Sequence, residues 1–74
     1  MVFNENSLEY VARYLSKWYD VEIMLNEEAK KHDFAYTFTI RDETLEEVIR
    51  LISRISPIEY NFDEDNTLYI DVKP

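Results

Sequence analysis

The spacing of apolar residues changes period several times along the chain, and each change marks an element. In SLEYVARYLSKWYD, Leu8, Val11, Ala12, Leu15 and Tyr19 recur at helical spacing. Asn6 is expected to cap this helix, with Glu9 three residues on as its capping-box partner. The period then drops to two. Val21, Ile23 and Leu25 alternate with Glu22 and Met24, so a half-buried strand follows and the helix ends near Asp20. The polar run EEAKKHD can bury little and reads as a loop or a single helical turn. Beyond it, Phe34, Tyr36, Phe38 and Ile40 alternate with Ala35, Thr37 and Thr39, which predicts a second strand.

The helical signal returns in RDETLEEVIRLISRIS, where Leu45, Val48, Ile49, Ile52 and Ile55 share a face and Thr44 with Glu47 forms a capping box. Pro57 helps to stop this helix, because the residue before proline is pushed out of the helical region. Ile58, Tyr60 and Phe62, then Leu68, Ile70 and Val72, alternate on either side of the polar DEDN, the pattern of a hairpin. Val2 and Phe3 could add a short first strand. The sequence contains no Gly, so Asn66 is expected to supply the positive φ that tight hairpin turns favour.

A shift of 37 residues lays SLEYVARYLSKW over TLEEVIRLISRI and VEIML over IEYNF, matching Ser7 to Thr44 and Leu8 to Leu45. The chain therefore reads as two βαβ units in tandem with one extra strand. The second helix's apolar positions (Leu45, Val48, Ile49, Leu51, Ile52 and Ile55) spread over roughly 160° of a helical wheel, and the first helix repeats this arc with Tyr14 and Trp18. A helix lying on one sheet needs a stripe of only about 100°. The wider arc predicts that each helix also touches its twin or a second layer. The fold class expected is thus α+β, a duplicated βαβ of order β-α-β-β-α-β-β with two helices packed between two small sheets.

Composition narrows the function classes. At 74 residues, 46% apolar and 15% aromatic, the chain can build one core and not two. Its sixteen Asp and Glu against eight Lys and Arg, a formal charge of −8, repel phosphates and anionic lipid heads, so nucleic-acid binding and direct membrane contact are not expected. There is no Cys, no apolar run near membrane-spanning length and no signal peptide. If the natural protein is exported or anchored, residues 1–74 form one domain of a longer membrane-anchored chain.

The whole chain resembles the C-terminal domain of FecR-type anti-sigma regulators, especially those of Bacteroidetes-like bacteria. The likeness rests on VFNENSLEYVARYLSKWYDVEI, on the FAYTFT strand, and on ETLEEVIRLIS followed by IEYNFDEDNTLYI. Trp18, Tyr19, Asp20 and Val21 match its most diagnostic stretch. Ala35 and Tyr36 stand where that family has Thr-Gly, and Pro57 where Gly is frequent, so turn geometry is expected to differ there. The resemblance implies a fold related to the signalling domain of TonB-dependent transporters and secretins, two βαβ units with helices between two sheets. It also implies a parent protein with a cytoplasmic sigma-binding segment, one membrane span and a periplasmic region ending in this domain. The partner implied is the N-terminal signalling domain of a TonB-dependent outer-membrane transporter, the location periplasmic, the isolated state monomeric. The rival reading is a secretin-type or transporter short domain acting in assembly or self-association.

No combination of residues assembles chemistry, so neither an enzyme, a cofactor nor a metal site is expected. His32 is the sole histidine, set in KKHD without Cys, too few ligands for zinc, and is expected to be a solvent-exposed loop residue. Glu46 and Glu47 point about 100° apart on a helix and read as solvated and N-terminal charges. Asp63, Glu64, Asp65 and Asn66 lack the Gly and distal Glu of a calcium loop and read as a polar turn. Trp18 and Tyr19 are expected in the core from their helical phase. Tyr10, whose repeat twin is Glu47, and Tyr69, which alternates against Leu68 and Ile70, are expected at the surface. The candidate partner interface is therefore Tyr10 and Tyr69 together with Leu68, Ile70 and Val72, the last strand being expected to form a sheet edge open to an extended segment.

Overall fold

A computed structural model describes residues 1–73. Its elements run β1 (Val2–Ser7), α1 (Leu8–Tyr19), β2 (Ile23–Leu25), α2 (Glu27–Lys31), β3 (Ala35–Thr39), α3 (Leu45–Ile55), β4 (Ile58–Phe62) and β5 (Leu68–Val72). The fold is α+β with two small sheets, one pairing β1 with β3 and the other ordered β2-β5-β4. Each repeat thus starts a strand in the first sheet and, after its helix, ends in the second. β5, the extra strand, lies between the twin strands β2 and β4, parallel to one and antiparallel to the other. This corrects the expectation that the last strand is an edge: β5 is central, and β2 and β4 are the edges of that sheet. The hairpin geometry explains why, since β4 pairs with β5 on one side and β2 fills the other.

The first strand is longer than Val2 and Phe3. It carries a bulge, where the partners shift from Phe3↔Phe38 to Asn6↔Tyr36. Glu5 takes a positive φ of 53° there. Its N–H donates to Thr37 Oγ1 at 3.0 Å and the Asn4 N–H donates to Asn6 Oδ1 at 2.8 Å, so the irregular backbone stays bonded. Asn6 is occupied in this way and does not cap α1. Ser7 does, its Oγ accepting from the Tyr10 N–H at 3.1 Å. The segment after β2, left open between loop and turn by its polarity, is the helix α2. Asn26 caps it, Glu27 and Glu28 lie in its first turn, Lys30 and Lys31 in its last, and it seals the core with Ala29.

One core joins the two repeats. Phe3, Leu8, Val11 and Leu15 from the first meet Tyr36, Val48, Ile49 and Ile52 from the second, with Ile58, Leu68 and Ile70 from the larger sheet. Each fully buried Leu or Ile adds about 1.5–3 kcal/mol of transfer free energy. Tyr36, where the resembled family has glycine, is buried, and its hydroxyl donates to Ser56 Oγ at 2.9 Å while Ser56 Oγ donates to Ile52 O at 2.7 Å. The one deep phenol thus ends in a satisfied chain of polar groups, and burial pushes its pKa up.

Candidate interaction surfaces

The five residues expected to form an interface do not form one surface. Leu68 and Ile70 are core residues of a central strand and cannot meet a partner, and Val72 is half-buried opposite Ile58. Tyr10 and Tyr69 are both 39% exposed, as their phases require, but they belong to separate places. Tyr10 lies on α1 in an aromatic group with Phe3 and Tyr14, at ring-centroid distances of 6.4 and 4.6 Å. Tyr69 lies on the outer face of β5, where its hydroxyl donates to Asp63 Oδ2 at 3.2 Å. That bond raises the tyrosine's pKa. Asp63 also accepts the N–H groups of Asp65 and Thr67, both at 2.9 Å, and these bonds, Thr67 first, hold its carboxyl below the ordinary range. The DEDN segment is thus a braced polar turn, with Asn66 at φ 63°.

Each long helix carries an exposed apolar stripe that its helical phase does not set apart from the core positions. Trp18, which its helical phase places in the core, is 59% exposed, and its repeat twin Ile55 is 56% exposed. Tyr14 and its twin Leu51 are exposed as well. The arc of about 160° does both things: α1 meets strands of both sheets, as its width predicts, and the part of each arc that carries Tyr14 and Trp18, or Leu51 and Ile55, faces outward. Tyr19 does keep to the core side, half-buried, its hydroxyl donating to Glu43 O at 2.7 Å.

A groove of about 530 Å³ runs between α1 and the open side of β2. Ala12, Ile23 and Leu25 give it an apolar lining, and Arg13, Lys17 and Lys30 border it. A second, of about 480 Å³, lies where Tyr19 and Val21 approach Thr44, Leu45 and Phe62.

The remaining carboxylate candidates for chemistry have structural partners. Glu46 bridges to Arg50 at 2.9 Å, and Glu47 completes the cap of α3 with Thr44, which lowers its pKa. His32 is half-buried and not the exposed loop residue expected, because it follows α2 directly and stacks on Phe34 at 3.9 Å. Among the described residues, no three His, Cys, Asp or Glu are grouped so as to hold a metal ion, and no helix is long and apolar enough to cross a membrane.

A duplicated βαβ unit that offers a strand edge and helix stripes defines a small α+β domain. The family model described as FecR, C-terminal, matches residues 1–70, and the chain belongs to that family, as a FecR-like anti-sigma regulator domain. No curated protein and no solved structure matches it.

Proposed function

We propose that the domain is the periplasmic, non-catalytic interaction module of a FecR-like anti-sigma regulator, and that it binds the N-terminal signalling domain of a TonB-dependent outer-membrane transporter. The observation that carries this reading is the family match over residues 1–70. The duplicated βαβ architecture agrees with it, because the same architecture is implied for the transporter's signalling domain. In this role the domain senses that the transporter is loaded and passes the signal inward through its parent chain. Calorimetric titration against the cognate transporter's N-terminal domain tests it, with saturable one-to-one binding as the expected result. Absence of heat, with binding retained by the rest of the periplasmic region, would move the role elsewhere.

One feature favours a second reading, self-association of the secretin type. The exposed stripes at Trp18 and Ile55 are the kind of apolar surface that copies of one chain can cover for each other. Sedimentation separates the two readings: the first expects a monomer at high concentration, the second a defined oligomer.

A further inference from the structure

β2 closes one side of the larger sheet, and its hydrogen bonds reveal which main-chain groups are unused. The Leu68 N–H donates to Glu22 O at 2.9 Å and the Asn26 N–H donates to Ile70 O at 3.3 Å. Residues 22 and 26 therefore turn their peptide groups toward β5. Along a strand these groups alternate in direction, so those of Ile23 and Leu25 point away from β5, to the side where the sheet has no further strand. That side is the groove beside α1, which Ile23 and Leu25 themselves line.

The charge around this edge runs against that of the chain. The whole sequence carries −8, yet three of its eight Lys and Arg, namely Arg13, Lys17 and Lys30, border this one groove. The carboxylate that borders it, Glu9, lies 3.9 Å from Arg13 and offsets that charge. Among the described residues, neither Lys17 nor Lys30 has a carboxylate within ion-pairing distance. An open row of backbone donors and acceptors selects an extended chain, and the lysines select for acid.

We propose that the free edge of β2 binds an extended acidic segment of a partner protein as an added strand, its main chain on Ile23 and Leu25 and its carboxylates on Lys17 and Lys30. This rests on the reading of the domain as a partner-binding module and names the chemistry of the contact. The edge is three residues long, so the segment is short, and the lysines add attraction and orientation to a small number of backbone bonds.

The test titrates the ¹⁵N-labelled domain with an end-capped peptide of alternating Val and Glu, and with its counterpart carrying Lys in place of Glu. The Glu peptide is expected to give its largest amide shifts at Ile23 and Leu25 and to slow hydrogen exchange at those two amides, and the Lys peptide to give neither. Reversing the lysines together, Lys17→Glu with Lys30→Glu, is expected to weaken binding about tenfold or more, since attraction becomes repulsion at two rim positions. Leu25→Pro removes an outward amide while sparing those that face β5, and edge strands tolerate proline; it is expected to abolish binding. Should that variant fail to fold, the charge reversal still decides. Equal binding of the two peptides, shifts centred on Tyr10, Tyr14 and Trp18, or no shift at millimolar peptide would each overturn the proposal. A transporter signalling domain that binds the reversed variant with unchanged affinity would remove the β2 edge and leave the partner standing.

Discussion

α1 and α3 hold equivalent places in a duplicated unit, and their ends are closed by different means. At the N-termini, Ser7 and Thr44 are repeat twins and both cap. Thr44 has the full reciprocal box, with Glu47 accepting back from its N–H at 3.0 Å. In the first repeat the twin of Glu47 is Tyr10, so Ser7 caps without return. At the C-termini the twins are Asp20 and Pro57. Asp20 takes the left-handed conformation, φ 53° and ψ 51°, and its N–H returns to Ser16 O. Pro57 forbids that solution, because it drives the preceding residue to extended backbone. Ser56 accordingly has φ −148°, and α3 stops one residue earlier in its repeat than α1 does. Identical topology thus constrains the buried face of a helix far more tightly than its ends, where one side chain can switch the mechanism.

The stripes offer the sharpest way to break the equivalence of apolar positions along α3. Ile52→Ala is expected to cost about 2–5 kcal/mol, because Ile52 is fully buried and leaves a cavity. Ile55→Ala, the same substitution three residues further on, should stay within about 0.5 kcal/mol. Urea denaturation of the two variants checks this, and comparable losses would mean that the outer stripe is covered in solution. Next in size, Thr44→Ala should cost about 1–2 kcal/mol and Ser7→Ala about 0.5–1 kcal/mol, in keeping with a reciprocal and a one-way cap. Equal costs would dissolve the difference between the two N-termini. Smaller and opposite in sign, Asp20→Gly is expected to stabilise by about 0.5 kcal/mol, since glycine takes the left-handed region without a Cβ penalty; a lower Tm would count against strain at that cap.

The pH profile gives the subtlest effect. The carboxyls of Asp63, Glu43 and Glu47 all lie below their ordinary values, each held chiefly by backbone N–H donors. A depressed native pKa stabilises the fold at pH above the unfolded value, and that contribution is lost as the pH falls through the native one. Tm should therefore be flat above about pH 5 and decline below about pH 4. Asp63→Asn should shallow the decline, and an unchanged slope would place the acid sensitivity on the α3 cap instead.

Much of this fold could be read from local pattern. The two long helices, the capping box at Thr44 and Glu47, the hairpin and the positive φ at Asn66 all follow from periodicity and from what individual residues permit. The cap of α1 is Ser7 and not Asn6, one residue from where the capping-box pattern with Glu9 puts it, although the repeat pairs Ser7 with Thr44. Asn6 could not be distinguished locally because its use depends on the bulge opposite Thr37, a contact between strands far apart in sequence. The short α2 had its signature in Asn26 and its charges, outweighed by the lack of apolar residues to bury.

Other features depended on the assembled molecule. Alternation told that Leu68, Ile70 and Val72 form a strand, since side chains obey a period of two whatever the strand's neighbours are. Whether that strand is an edge depends on what lies on each side of it, and here β2 returns from much earlier in the chain to occupy the second side. Likewise, helical phase puts Trp18 and Ile55 on an apolar arc, but how much of an arc is covered depends on how many layers surround it. The groove beside β2 is the strongest case. Arg13 and Lys17 on one element and Lys30 on another carry no common pattern in sequence, and only the packing of α1 and α2 around an open strand brings their charges to one place.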